Sequence, residues 1–317
     1  MKLEEIFKIC IEEGIKEDPR GKAKIDKILK KRNEAYKKME KEDKEFFDKE
    51  MLWNPFDDSR ILVDDKRNIK NVMVGIDIET PEILLANELN KNGKNIDSVW
   101  AHHPEGIALI GLDKVMALQI DVLVKAGVSI NQAEAIMQGR IKEVSEALSP
   151  QNSERVEQAS KLLGINFLNT HTPADNHVHK YLTELFEKKK PETLKDIIKI
   201  LKEIPEYKEG MKQKIGPMIF AGNEDSSVGK IYVDMTGGTE SNKEAYKKLA
   251  EKGVGTIVGM HVGKEMKQEA EKQNMNIVIA GHIPSDNLGM NLLLDKVEKK
   301  TKLNIIEMSG FKRIKRK

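Results

Sequence analysis

The sequence predicts an α/β protein of two lobes with a largely parallel or mixed sheet, preceded by an N-terminal helical arm. Three observations carry the prediction. Short apolar runs recur, VMVGID, IDSVWA, INFLNT, KIYVDM, GTIVGM and MNIVIAG, each of strand length and most rich in β-branched residues. Helix-like stretches separate them and no two-residue hairpin signal joins neighbours, so the connections are crossovers. The Lys-rich stretch 177–214, broken at Pro191 and Pro205, reads as a passage between lobes.

Taken in order, residues 1–50 are helical in pattern. One stripe is Leu3, Ile6, Phe7 and Cys10, and a second is Ile25, Ile28, Leu29, Tyr36 and Met39. Thick with Lys and Glu, this piece reads as a peripheral arm within 1–70, ahead of a first lobe at 71–185 and a second at 186–317. The strand ending near Asp77 and Glu79 is followed by Thr80 and Pro81, cap and first-turn signals for a helix. The next strand runs into His102, His103 and Pro104. Helices over roughly 111–126, 130–148 and 152–163 lead to the strand before His171. Ser129 with Gln132 looks like a capping box, which makes VSINQAEAIMQGRIKEV a plain helix rather than a DNA reader. In the second lobe, KIYVDM enters the glycine turn Thr236–Thr239, read as a tight turn, and Ser241 with Glu244 caps the next helix. GTIVGM ends in His261.

With 317 residues and a single cysteine, the chain can bury substantial cores and forms no internal disulfide. Cys10 on its apolar stripe reads as an inert buried thiol. No signal peptide or membrane span is evident, which gives a cytoplasmic expectation. A net charge of +2 over many mixed charges lends no support to a nucleic-acid partner, and the basic tail FKRIKRK reads as solvated.

The chemistry sits at strand ends. His171, Thr172, Pro173, Ala174, Asp175, Asn176 and His282, Ile283, Pro284, Ser285, Asp286, Asn287 nearly repeat one another. Either Asp alone is an ordinary N-cap. A cap does not require a His four residues earlier or a Pro between them, so the recurrence points to a shared site. His102, His103, His282, Asp175 and Asp286 would supply too many bonds for one tetrahedral ion and suit two, about 3.5–4 Å apart, each taking one of the paired histidines. Without thiolates, the candidates are Zn, Mn, Fe or Co. His171 and Asp77 are expected behind the ligands as orienting groups, and His177 and His179 in packing or surface roles. All these residues fall at strand C-termini, where open α/β sheets place ligands.

These motifs resemble the NGG-interacting-factor-three-like proteins, also called hexameric dinuclear metal-centre proteins, some described as type-two GTP cyclohydrolases. HHP at 102–104, HTPADN at 171–176 and GHIPSDNLG at 281–289 stand in the family's order over about 70–317. The resemblance implies two similar three-layer α/β lobes with the metals between them, a toroidal homohexamer, and two ions held by His102, His103, Asp175, His282 and Asp286. The family usually has Glu where this chain has Asp286, a shorter gap between the first two motifs, and no arm like 20–50.

The function expected is a metal-dependent hydrolase in which a hydroxide bridging the ions attacks carbon or phosphorus, with His261 or Glu105 carrying the proton. The resemblance would make the substrate a nucleotide. The alternative, from another class, is a metal-holding regulatory protein that docks a partner through its toroid, motivated by the helical arm and the lack of a substrate-reading motif.

Overall fold

The computed structural model describes residues 1–316. In α1 (Leu3–Lys16), the stripe Leu3, Ile6, Phe7, Cys10 and Ile11 is wholly buried, so this part of the expected arm is core. α2 (Lys22–Lys38) does lie outside, with Ile25 its one buried residue, and α3 (Lys41–Glu45) buries none. Then comes β1 (Arg60–Val63), a strand not foreseen in 1–70, because RILV is short and its partner β4 is remote in sequence.

The first lobe continues through β2 (Asn71–Gly75), α4 (Thr80–Lys91), β3 (Ser98–Ala101), α5 (Ile107–Ile110), α6 (Leu112–Val115), α7 (Ala117–Lys125), α8 (Ile130–Leu148), α9 (Arg155–Leu163) and β4 (Asn166–Asn169). α10 (Thr172–Lys189), α11 (Leu194–Glu203) and α12 (Pro205–Lys212) lead to the second lobe. That lobe holds β5 (Met218–Ala221), β6 (Lys230–Asp234), α13 (Lys243–Glu251), β7 (Val254–Gly259), α14 (Lys264–Lys272), β8 (Asn276–Ile279) and α15 (His282–Glu298), before β9 (Asn304–Glu307).

The two sheets repeat one topology. Their orders are β1-β4-β3-β2-β9 and β5-β8-β7-β6. In each, the first edge strand is antiparallel to its neighbour, β1 to β4 and β5 to β8, and the other pairs are parallel. Even the irregularity recurs, between Ile61 and Val63 in β1 and between Ile219 and Ala221 in β5. β9 returns from the chain's end to pair with β2, so the first sheet draws strands from outside 71–185 at both ends. Both sheets are mixed, and β3 and β4 are buried along their whole length, as strands covered on both faces must be.

The lobes share a layer. α4 and α9 cover the outer face of the first sheet, through Ile83, Ala86 and Val156. α7, α8, α13 and α14 cover the outer face of the second, through Leu123, Met137, Leu249 and Ala270. Between the sheets lie α10 and α15, whose Ala174 and Leu293 join the first core and Val178 and Leu288 the second. Since each of these helices leaves the end of the last strand in its repeat, their N-termini meet where both sheets present their C-terminal ends.

Several local expectations change. α4 is capped by Glu79, whose N–H reaches Glu82, and α13 by Asn242 rather than Ser241. Ser129 precedes α8 without a side-chain cap. The two described arginines of the basic tail are held by carboxylates, Arg313 by Asp295 and Glu298 of α15 and Arg316 by Glu206 of α12, while Lys312 and Lys315 are exposed. Among the described residues, no helix is long and apolar enough to cross a membrane.

Candidate metal centre

β3 ends at Ala101, but the His102 and His103 amides still donate to the Gly75 and Ile76 carbonyls, each at 3.0 Å. The chain is thus anchored as it turns, and the neighbouring rings, which a regular strand would point apart, lie with centroids 5.1 Å apart. α10 and α15 begin inside their motifs, at Thr172 and His282, with His171 and Gly281 at the cap positions. Asp175 and Asp286 therefore lie within the helices, and the N-cap reading falls.

Instead the carboxylates face the imidazoles. His102 Nε2 is 3.4 Å from Asp175 Oδ1 and 3.5 Å from Asp286 Oδ1. His103 Nε2 and His282 Nε2 are each 3.5 Å from Asp286 Oδ2, and His171 Nε2 is 3.6 Å from Asp175 Oδ2. His102 Nε2, Asp175 Oδ1 and both Asp286 oxygens are buried without a hydrogen-bond partner among the described residues. Such orphaned groups are costly alone. Two donors each about 2.1 Å from a tetrahedral ion stand about 3.4 Å apart, so the spacing that is long for a hydrogen bond is right for shared coordination.

The donor atoms group around His102, Asp175 and Asp286, around His103, His282 and Asp286, and around His102, His103 and His171. The first two groups share only Asp286, one oxygen to each. These buried His and Asp residues could hold a metal, and His171 stands among them rather than behind them.

Nδ1 of the rings is held from outside. His103 Nδ1 is 2.6 Å from Asp77 Oδ1, placing Asp77 behind that ring as expected. His102 Nδ1 is 3.2 Å from the Thr170 carbonyl, and His171 Nδ1 is 2.8 Å from Asp58 Oδ2. Such bonds leave Nε2 facing the cluster and fix the tautomer.

Burial dominates the electrostatics. It holds His102 down to about 4 and pushes Asp175 up to about 7. His103 resists the same burial because the Asp286 and Asp77 carboxylates both face its ring, and it rises to about 10. Asp286, penalised by burial, is nevertheless held far below the usual range by His102, His103 and His282. Asp286 is thus kept ionised, the state in which a carboxylate can hold a cation.

Of the two expected proton carriers, His261 lies against His282 and lines a cavity beside the cluster, and Glu105 is near enough to His103 and Asp77 to feel their charge. His261 packs edge-on to His282 with centroids 4.9 Å apart, its Nδ1 2.5 Å from Glu240 Oε1. It lines a cavity with His171, Asp175, Thr236, Gly238 and His282, so the glycine turn is a wall of the site. Gln119 of α7 holds that turn by donating to the Gly237 and Thr239 carbonyls. Glu105 does not line the cavity; burial, with Glu79 nearby, raises it to about 7. His177 is buried, Nδ1 2.8 Å from the Pro173 carbonyl, in the packing role expected.

Asp58 and Glu240 were missed. Nothing in the spacing of NPFDDSR marks Asp58, which reaches His171 only because β1 pairs with β4. Glu240 follows the glycine turn at no motif distance from His261.

No family model matches the sequence, and no curated relative matches it. The structure is similar to a NIF3 superfamily protein from Sphaerobacter thermophilus, at 27% identity and a TM-score of 0.70, over 80% of this chain and 91% of that one. It is also similar to HcgD from Methanocaldococcus jannaschii, at 16% identity and a TM-score of 0.47 over 78% of this chain and 87% of that one. A Thermus thermophilus protein matches at 14% identity and a TM-score of 0.47, over 80% and 90%. The two-lobe α/β fold is thus the fold of NIF3 superfamily proteins, and in this chain the paired histidines and the doubled His-x-x-x-Asp helix starts stand at its centre.

Proposed function

We propose that the cluster holds two divalent transition-metal ions and that the protein is a metal-dependent hydrolase. The observation that carries this is the convergence of four buried, partnerless donor atoms, His102 Nε2, Asp175 Oδ1 and both Asp286 oxygens. His102 and Asp175 would serve one ion, His103 and His282 the other, with Asp286 between them and His171 completing the set. Bound there, such ions lower the pKa of water and stabilise developing negative charge. Nitrogen and carboxylate donors without thiolate suit Zn, Mn, Fe or Co.

The chain's own residues supply the rest. His261, held at Nδ1 by Glu240, presents Nε2 to the cavity and can accept a proton there and return it to a leaving group. The cavity, ≈ 50 Å³, is far below the roughly 300 Å³ of an ordinary ligand pocket, so a substrate would enter by its reacting end alone. A nucleotide, the substrate the family resemblance implies, would leave its base outside. A homohexamer belongs to the same reading; Met218 and Phe220, exposed on the edge strand β5, suit contact with another copy.

Turnover assays on nucleotides, phosphoesters and amides with each metal supplied test the proposal. Activity lost in His103→Ala supports it; full metal retention with no turnover on any class favours a metal-holding regulatory protein. Light scattering tests the oligomer, and a monomer at micromolar concentration removes it.

A further inference from the structure

The loop 54–59, just before β1, is buried at every residue, as is Arg60 at the strand's start, which is unusual for a connection that must satisfy its own backbone. Two side chains do much of that work. Arg60 donates through Nη1 to the Phe56 and Ser59 carbonyls, and Asn54 accepts from the Phe56 amide. Inside this rigid loop, Asp58 is fully buried, and Oδ2 accepts from Thr172 Oγ1 at 2.6 Å, His171 Nδ1 at 2.8 Å and the Thr172 amide at 3.3 Å. Oδ1 accepts from Ser59 Oγ at 3.2 Å, and Ser59 Oγ in turn accepts from the His171 amide at 3.0 Å.

His171 is thereby gripped at its backbone and at one ring nitrogen by adjacent residues of one loop. The other nitrogen, Nε2, faces Asp175 at 3.6 Å. All the other donors to Asp58 are neutral hydroxyls or amides, so they satisfy the carboxylate without competing for the ring.

We propose that Asp58 is the positioning residue of His171: from the buried loop before β1, it keeps the ring's proton on Nδ1 and turns the bare Nε2 toward the metal cluster. The consequence for metal affinity rests on the metal-centre reading; the tautomer does not. Asp77 does the same for His103 from the loop after β2, so carboxylates outside the cluster set two of its imidazoles from two different loops.

The test uses the full chain labelled with ¹⁵N-histidine. In metal-free wild-type protein at alkaline pH, long-range ¹H–¹⁵N correlation should show His171 protonated at Nδ1. Asp58→Asn should shift the ring toward a mixture of tautomers and weaken Zn²⁺ binding about 10- to 100-fold while unfolding stays cooperative. Ser59→Ala, which loosens the backbone grip, should lower stability and leave the tautomer unchanged. A wild-type His171 protonated at Nε2 overturns the proposal, and this holds even where Asp58→Asn does not fold. Wild-type affinity with an unchanged ring in Asp58→Asn overturns it as well. Should wild-type protein bind no Zn²⁺, the metal reading fails while the tautomer still decides the role of Asp58.

Discussion

Gly289 of α15 lies so close to Ala174 of α10 that a β-carbon on it would stand 2.6 Å from the Ala174 carbonyl oxygen. The two helices touch backbone to backbone one residue from Asp175 and three from Asp286. Gly289→Ala should push them apart, lowering stability by about 1–3 kcal/mol as overpacking does. Because the site spans both helix starts, metal affinity should fall too. Denaturant unfolding and metal titration on the same sample check this, and an affinity at wild-type level would separate the crossing from the site.

His102 and His103 approach different oxygens of Asp286. On the proposed two-ion reading, His102→Ala and His103→Ala should therefore each retain about one ion per chain and each lose any turnover that needs both. Metal analysis with a turnover assay decides it. Should either variant keep full metal content and full activity, that ring is a packed neighbour and not a ligand.

The site was more legible than the fold around it. His102, His103, Asp175, His282 and Asp286 are named by short motifs because each motif fixes local geometry, a strand end or a helix start, and parallel topology gathers strand ends. The repeat of HxP(A/S)DN was compatible with two like lobes, and the matching strand order of the two sheets now shows them. β1, β5 and β9 were not legible, since each is a four-residue strand whose existence depends on a remote partner. Asp58 was hidden for the same reason. The helix starts were misplaced by several residues because His171, Thr172 and Pro173 read as a loop, while Pro at a first turn is equally a helix opening.

His179 on α10 offers a pH test away from the cluster. Burial, aided by Lys125, holds its pKa down to about 4, and its Nδ1 is buried without a partner among the described residues. A histidine kept neutral below its unfolded value of about 6.5 stabilises fully above that pH, and the contribution is lost as pH falls through 6.5 toward 4. Wild-type protein with chelator should thus lose up to about 3 kcal/mol more than His179→Gln between pH 7 and 4. Parallel urea midpoints for the two proteins across that range would contradict the assignment.

Asp286 stands in both donor groups of the cluster, and its oxygens have no hydrogen-bond partner among the described residues. The most direct measurement is metal content per chain after supplementation with Zn, Mn, Fe or Co, for wild-type protein and Asp286→Asn, with cooperative unfolding confirmed for both. About two ions in the wild type and close to none in the variant is the result predicted. A wild-type content near zero, or two ions retained without the Asp286 carboxylate, would contradict a dinuclear centre built on that residue.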